Sequence, residues 1–181
     1  MMKTKSSKRL IVGLIALLAV FALSGTGLCA DTIKLGVAGP HSGDLASYGI
    51  PTVKAAELVV KEVNAAGGIL GKQVELVVED DVCKPEVATN TATKMVSEDV
   101  KVVLGHNCSG ATKAALGIYK DSNVVTMSPS ATNPDLSQSG DYPNFFRTIA
   151  SDDAQDRMQV DFALDTLGLK KIAVLHDYGD Y

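Results

Sequence analysis

Cysteine and histidine, the usual ligands of transition metals, are scarce in this 181-residue chain. The sequence holds three residues of each type, at Cys29, Cys83, Cys108, His41, His106 and His176. The histidines are scattered and show none of the spacings that zinc sites require. No phosphate-loop lysine motif or dinucleotide glycine fingerprint occurs either. We therefore expect neither a metal nor a cofactor.

Catalytic signatures are absent as well, since the sequence contains no Gly-x-Ser-x-Gly elbow. An exported enzyme that uses Cys108 or His106 is one alternative, but a catalytic cysteine must be a free thiolate. We expect a protein that performs no chemistry.

Long apolar runs are absent after residue 23. The run Leu10–Leu23 follows a basic segment and precedes small residues, and its 14 residues are too few for a membrane span, which needs ~20. This pattern is typical of a secretory signal peptide. We predict a signal peptide over residues 1–30, cleavage after Ala30 and export of the mature chain. A lipid anchor at Cys29 is the alternative.

A basic excess is also missing, because residues 31–181 carry 13 basic and 21 acidic side chains, a net charge of −8. Such a surface is unsuited to nucleic acid. Cys83 and Cys108 remain after cleavage, and an even number of cysteines in an oxidising compartment predicts a disulfide between them.

Strand and helix patterns alternate along the chain. Strands are predicted over Ile33–Ala38, Val74–Val78, Val100–Leu104, Val124–Met127, Phe145–Thr148 and Ile172–Leu175. Helices are predicted over Tyr48–Ala66, from Pro85, over Ala111–Lys120 and after the N-cap Ser151. Repeated βα units with short connections predict an α/β fold with a doubly wound parallel sheet. In the first helix, Ala56, Val59, Val60 and Val63 recur at i, i+3, i+4 and i+7. The last helix is expected to bury Val160, Ala163, Leu164 and Leu167.

Ser151 is the predicted boundary between two lobes. Residues 31–150 would form a complete first lobe, and residues 151–181 would begin a second that stays incomplete, because one helix and one strand make no sheet-based core. In the alternative, the last βα unit joins the first sheet in a single domain.

Three loops rich in small and hydroxyl residues follow predicted strands, over Pro40–Tyr48, Gly105–Thr112 and Ser128–Asn133. Ligands of open α/β sheets bind beyond the carboxyl ends of the strands. If the loops converge, helix-end amides suit a carboxylate and hydroxyls with carbonyls suit an ammonium, so we predict a site for a small zwitterion. Alternatively, these hydroxyls only cap helices. The pair Asp80 and Asp81 is interpreted as a solvated loop.

Six segments carry a resemblance to one family: Ile33–Gly43, Asn64–Gly71, Asp80–Pro85, Gly105–Ser109, Ser128–Thr132 and Val174–Asp177. The chain resembles the periplasmic leucine/isoleucine/valine-binding proteins of branched-chain amino acid ABC transporters, over about the first half of their length. The resemblance implies a type I periplasmic-binding-protein fold, in which two α/β lobes close over the ligand. It also implies the Cys83–Cys108 disulfide.

The resemblance further implies ligand contacts at Tyr48, Asn107, Cys108, Ser109, Ser130, Ala131, Thr132 and Tyr181. Ser109 and Thr132 match the carboxylate and ammonium binders, and Tyr48 and Tyr181 could form aromatic walls. The implied partners are a leucine-, isoleucine- or valine-like ligand and a membrane permease, and the protein would be a monomer. The alternative is a sensor domain for amides or other amino-acid-like ligands.

Overall fold

A computed structural model of the chain describes residues 32–176 and residue 181. Its five strands are β1 (Ile33–Gly39), β2 (Val74–Asp80), β3 (Val102–Leu104), β4 (Val125–Ser128) and β5 (Phe145–Arg147). They form one sheet in the order β2-β1-β3-β4-β5, and every neighbouring pair is parallel. The predicted α/β parallel sheet is confirmed.

The helices are α1 (Ala46–Ala65), α2 (Pro85–Ser97), α3 (Ser109–Asp121), α4 (Asp135–Gln138) and α5 (Asp152–Asp161). A π-helical turn, Phe162–Thr166, follows α5. Pro85 opens α2, where its missing N–H costs no helical hydrogen bond. Gly67 and Gly68 follow α1 with φ of 103° and 81°, a conformation that ends the helix at little steric cost.

The main core lies between one sheet face and helices α2 and α3. It joins Val77 and Val103 from the strands to Met95, Ala115 and Tyr119 from the two helices. The absence of a side chain at Gly36 lets α2 approach β1, because a Cβ there would lie only 2.7 Å from Met95 Sδ. This close packing fixes α3, whose N-terminus faces the carboxyl edge of the sheet.

The opposite sheet face is only partly covered. Helix α1 packs on β1 and β2 and buries Ala56, whereas Val60 and Val63 are half-buried. Val59 shares the helical spacing of these residues but is 55% exposed, on the wall of an apolar groove of about 240 Å³ between α1 and β1, β3 and β4. No described element covers this face over β3, β4 and β5, so Val102, Val125, Met127 and Phe146 are exposed.

Two predictions beyond β5 are wrong. Helix α5 begins after Ser151 as expected, but its apolar stripe is not buried: Ala163 is half-buried, and Val160, Leu164 and Leu167 are 47%, 50% and 56% exposed. Residues 172–175 form no strand and do not join the sheet. The reason is the same in both cases, because no element of the described chain packs against this segment. The predicted signal peptide lies outside the described residues.

Helices long and apolar enough to cross a membrane do not occur among residues 32–176.

Gly105 provides a test of this packing. Its φ is +127°, and a Cβ there would lie 1.9 Å from Ala38 O in β1. We expect Gly105→Ala to destabilise the complete protein by about 3 kcal/mol, because neither the conformation nor the strand backbone tolerates the methyl group. The measurement is the free energy of unfolding in urea.

Gly117→Ala is the matched control. Gly117 lies in the middle of α3, and a Cβ there has no neighbour within 4 Å. Higher helix propensity should stabilise this variant by up to about 1 kcal/mol. Equal effects of the two substitutions would contradict the assigned close approach at Gly105.

Candidate functional site

The three predicted loops meet at one edge of the sheet. They follow β1, β3 and β4, which are neighbours, so the chain leaves the sheet three times side by side. Asn107 Nδ2 donates to Tyr48 O at 3.2 Å, and Ser130 Oγ donates to Asn107 O at 2.7 Å. Side chains of one loop therefore bind the backbone of the next, which is the convergence that the sequence predicts.

Ser109 and Thr132 lie together within this edge. The hydroxyl oxygen of Ser109, the first residue of α3, accepts the backbone N–H groups of Thr132 and Asn133, both at 3.2 Å. Because the hydroxyl acts twice as an acceptor, its own hydrogen remains to be donated. Thr132 is 5% exposed, and its Oγ1 has no hydrogen-bond partner among the described residues.

The N-terminus of α3 adds backbone donors to the edge. The first helical hydrogen bond runs from Thr112 N to Cys108 O at 2.9 Å, so the amides of residues 109–111 precede the helical ladder. These amides and the helix dipole favour an anion. The predicted disulfide Cys83–Cys108, with Cα atoms 5.5 Å apart, ties this N-terminus to the loop after β2. Cys108 is therefore no thiolate and cannot be the nucleophile of the exported-enzyme alternative.

A buried polar network lies beneath the loops. His106 Nδ1 is 2.5 Å from Asp81 Oδ2, His106 Nε2 is 3.0 Å from Tyr119 Oη, and all three residues have 0% exposure. Asp81 Oδ1 also accepts the N–H of Cys83 at 2.8 Å. The interpretation of Asp81 as part of a solvated loop is therefore wrong. Its carboxylate is buried because the imidazole and a backbone amide replace its water.

The backbone of His106 is fixed by hydroxyl groups from two elements. Its carbonyl oxygen accepts Ser128 Oγ at 2.5 Å and Thr112 Oγ1 at 3.2 Å. The Ser128 hydroxyl in turn accepts the N–H of Ala131 at 2.9 Å. The loops after β3 and β4 are thus joined by side-chain hydrogen bonds in the interior, which keeps them in one arrangement.

Three ionisable groups near the edge have shifted pKa values. Burial lowers the pKa of His41 despite the nearby Asp80 and Asp81 carboxylates. Partial burial would raise the pKa of Asp80, but hydrogen bonds from the Ser42 side chain and from the backbone of Val82 and His41 outweigh it and lower the pKa. Burial, with the Asp81 charge, raises the pKa of Tyr119. His41 is therefore held neutral, and Asp80 is held ionised.

The predicted ligand residues differ in their placement. Asn107, Ser109, Ala131 and Thr132 are buried, and Cys108 and Ser130 are half-buried. Asn107 Oδ1 has no hydrogen-bond partner within the described part of the chain. Tyr48, which could have been half-buried, is 66% exposed, and Tyr181 is 79% exposed. No hydrogen bond joins Tyr181 to the three loops in residues 32–176.

Arg147 is a site-supporting residue that the sequence did not reveal. Its Nη1 donates to Asn133 O at 2.9 Å and to Ala131 O at 3.3 Å, and its Nη2 donates to Ser137 Oγ. A lone basic residue at the end of the short strand Phe145–Arg147 is the only sequence signal for it. Asp81 and Tyr119 were missed as partners of His106 because they are 25 and 13 positions away in the chain.

Metal chemistry finds no support at this edge, since residues 32–176 contain no cluster of three or more His, Cys, Asp or Glu side chains arranged to hold an ion.

A parallel sheet with three polar loops at one edge, the disulfide and the buried network together suit a binding domain. A family profile described as periplasmic binding protein matches residues 32–181. The chain belongs to the periplasmic binding protein family. Membership supports a periplasmic or extracellular location.

Individual relatives agree with this assignment. The chain is 40% identical over 168 residues to the leucine-, isoleucine-, valine-, threonine-, and alanine-binding protein of Pseudomonas aeruginosa. The aligned region covers 93% of this chain and 45% of that protein. This periplasmic binding protein chain thus spans about half the length of the curated relatives it matches.

Two solved structures are also similar. The branched-chain amino acid transporter substrate binding protein LivJ from Streptococcus pneumoniae, in complex with isoleucine, is 37% identical with a TM-score of 0.70, over 76% of this chain and 39% of that chain. A solute binding protein of an ABC transporter from R. palustris, in complex with benzoate, is 30% identical with a TM-score of 0.68, over 77% and 38% of the two chains.

The buried pair gives a prediction about stability. Asp81→Ala should destabilise the complete protein by about 3 kcal/mol, because His106 Nδ1 and the amide of Cys83 lose their partner in the interior. Asp81→Asn, which keeps an acceptor, should cost less. The midpoint and slope of urea unfolding measure both.

Asp121→Ala, an exposed carboxylate at the end of α3, is the control and should change stability little. An Asp81→Ala variant as stable as this control would show that the buried contact contributes nothing to the fold.

Proposed function

We propose that this chain is the first part of a substrate-binding protein that captures a branched-chain or related aliphatic amino acid and delivers it to the permease of an ABC transporter. The observation that supports this most directly is the Ser109–Thr132 contact. The Ser109 hydroxyl accepts the backbone N–H of Thr132 and still has its own hydrogen to donate. The Thr132 hydroxyl has no hydrogen-bond partner among the described residues. The relatives from Pseudomonas aeruginosa and Streptococcus pneumoniae named above bind ligands of this chemistry.

The carboxylate of the amino acid would bind at the start of α3. The amides of residues 109–111, the helix dipole and the Ser109 hydroxyl all favour a negative group there. Charge-assisted hydrogen bonds of this kind are roughly twice as strong as neutral ones, and the low exposure of Ser109, 2%, limits competition from water.

The ammonium would bind at the loop after β4. Thr132 Oγ1 is buried and has an unused acceptor. Neutral oxygen acceptors balance the positive charge of an ammonium only in part. A carboxylate from the second lobe would therefore complete the ammonium-binding part of the site. Tyr48 and Tyr181, both exposed here, would become walls around the aliphatic side chain when the lobes close.

Residues 31–150 form the first lobe in this proposal, and residues 151–181 begin the second. The exposed stripe of α5, with Val160, Leu164 and Leu167, would then be covered by elements of the second lobe. Closure follows because a ligand that contacts both lobes favours the shut state, which the permease recognises. The protein performs no chemistry in this role and acts as a monomer.

Ligand binding is the test of this function. Isothermal titration calorimetry on the complete protein should show binding of leucine, isoleucine or valine. Ser109→Ala should raise the Kd at least about tenfold, because a hydrogen bond to a carboxylate is lost. Thr132→Val should weaken binding about fivefold or more for the same reason at the ammonium.

Ser97→Ala is the matched control, since Ser97 is exposed at the end of α2 and its hydroxyl donates only to Lys94 O. Benzoate, which has a carboxylate and no ammonium, is the discriminating ligand. If benzoate bound more tightly than leucine, the proposed amino-acid ligand would be wrong, and an aromatic acid would take its place in the proposal.

The export signal has its own test. When the complete protein is expressed with its own N-terminus, intact mass should show that the mature form begins at Asp31. This result follows from the apolar run and small-residue tail before that position. A mature form that begins with a lipid-modified Cys29 would favour the anchor instead.

A further inference from the structure

Arg147 binds the carbonyl groups of the two residues that flank Thr132. The carbonyl of Ala131 and the carbonyl of Asn133 each accept its Nη1, at 3.3 and 2.9 Å, while Nη2 donates to Ser137 Oγ. One side chain from β5 thus holds the loop after β4 and the helix α4 together. A planar guanidinium with several fixed donors suits this task, whereas an ammonium offers a single point of attachment.

The charge of Arg147 is not neutralised by an ion pair with any described carboxylate. Its neighbours are the two carbonyls, the Ser137 hydroxyl and the ring of Phe145, whose centroid is 6.0 Å from Cζ. A half-buried guanidinium without a counter-ion acts on the dipoles it contacts. Here those dipoles are the Ala131–Thr132 and Asn133–Pro134 peptide groups, whose carbonyls belong to the residues on either side of Thr132.

The hydrogen bonds run in one direction from Arg147 to the proposed carboxylate position. The guanidinium donates to Ala131 O, and the same peptide group donates through Thr132 N to Ser109 Oγ at 3.2 Å. The Ser109 hydroxyl has its own hydrogen left to donate into the site. In such a series each bond polarises the next, so the positive charge of Arg147 strengthens the final donor.

The orientation of Thr132 is fixed by the same contacts. Its N–H is bound by Ser109, and its carbonyl oxygen accepts the N–H of Asp152 at 3.0 Å. With Arg147 on the carbonyls of residues 131 and 133, the peptide groups around Thr132 are bound on both sides. The direction of its Cα–Cβ bond is therefore set by backbone contacts.

We propose that Arg147 is a positioning residue of the ligand site, which acts through the Ala131–Thr132 peptide on the Ser109 hydroxyl and never contacts the ligand. The inference rests on the proposed function and names the residue that tunes its carboxylate donor. Arg147 then contributes to affinity for the carboxylate group as well as to the stability of the loop.

A double-mutant cycle on the complete protein tests the inference. Arg147→Met should raise the Kd for leucine about tenfold when Ser109 is present, but less than about twofold in the S109A background, where the series of hydrogen bonds is broken. R147K keeps the charge and loses the bridging geometry, so its Kd should be intermediate, about threefold above that of the unmodified protein. Calorimetry measures the Kd of five proteins: the unmodified protein, R147M, S109A, the R147M/S109A double variant and R147K. If R147M folds poorly, the comparison of R147K with the unmodified protein still tests the inference.

Arg157→Met is the matched control, because Arg157 is an exposed arginine on α5 and should leave the Kd unchanged. A purely structural role of Arg147 predicts the same fold-change in both backgrounds, and that result would overturn the inference while leaving the proposed function intact.

Failure of the unmodified protein to bind any amino acid would refute the proposed function, and amide hydrogen exchange of the ligand-free protein then decides on Arg147. The amides of Thr132 and Asn133 should exchange about tenfold faster in R147M than in R157M, because local opening becomes easier when the two carbonyls are released. Equal exchange rates in R147M and R157M would reject the positioning role.

Discussion

The contact between Asp81 and His106 is the interaction on which the ligand loops depend. Asp81 follows β2 and His106 follows β3, two strands that are separated in the sheet by β1. The chain at Gly105 passes so close to Ala38 O that only a glycine fits, and this passage brings the imidazole to the carboxylate. Because the pair is fully buried, any displacement of one loop would leave a buried polar group without its partner, which is costly. The loop that carries Asn107, Cys108 and Ser109 starts from this fixed point.

Local patterns account for what the sequence predicted well. The strands, the α3 segment and the three small-residue loops follow from apolar runs and turn residues within a few positions, and the parallel order then places the loops at one edge. The burial of Asp81 was missed because a carboxylate in a pair of aspartates is polar by every local measure, and only the partner His106, 25 positions away, removes it from water. Arg147 was missed for the same reason, since its carbonyl partners are 14 and 16 positions distant.

Helical periodicity also fails to predict burial where it identifies an apolar face but not the element that would pack against it. Val59 in α1 and Val160, Leu164 and Leu167 at and after α5 have the spacing of buried residues, yet all four are exposed. An apolar stripe allows a helix to be buried on one face, but the stripe becomes buried only when a second element packs against it. Parallel sheets normally have both faces covered. The exposed side chains of β3, β4 and β5 and those of α5 therefore share one cause, which is the absence of a packing partner among the described residues.

The polar groups of the edge are held in a state that favours binding. A buried hydroxyl without a partner, such as Thr132 Oγ1, costs about 1–3 kcal/mol in the free protein. Ser109, Arg147 and the backbone of Asp152 bind the surrounding peptide groups and so fix the backbone from which this side chain projects. In the proposed role the ammonium of the ligand supplies the missing partner. The cost of the unpaired hydroxyl in the free protein is then removed on binding, which makes the binding free energy more favourable. Since the groups are already ordered, little conformational entropy is lost when the ligand arrives. In the proposed role, rigidity at this edge increases affinity, and movement takes place at the junction between the proposed lobes.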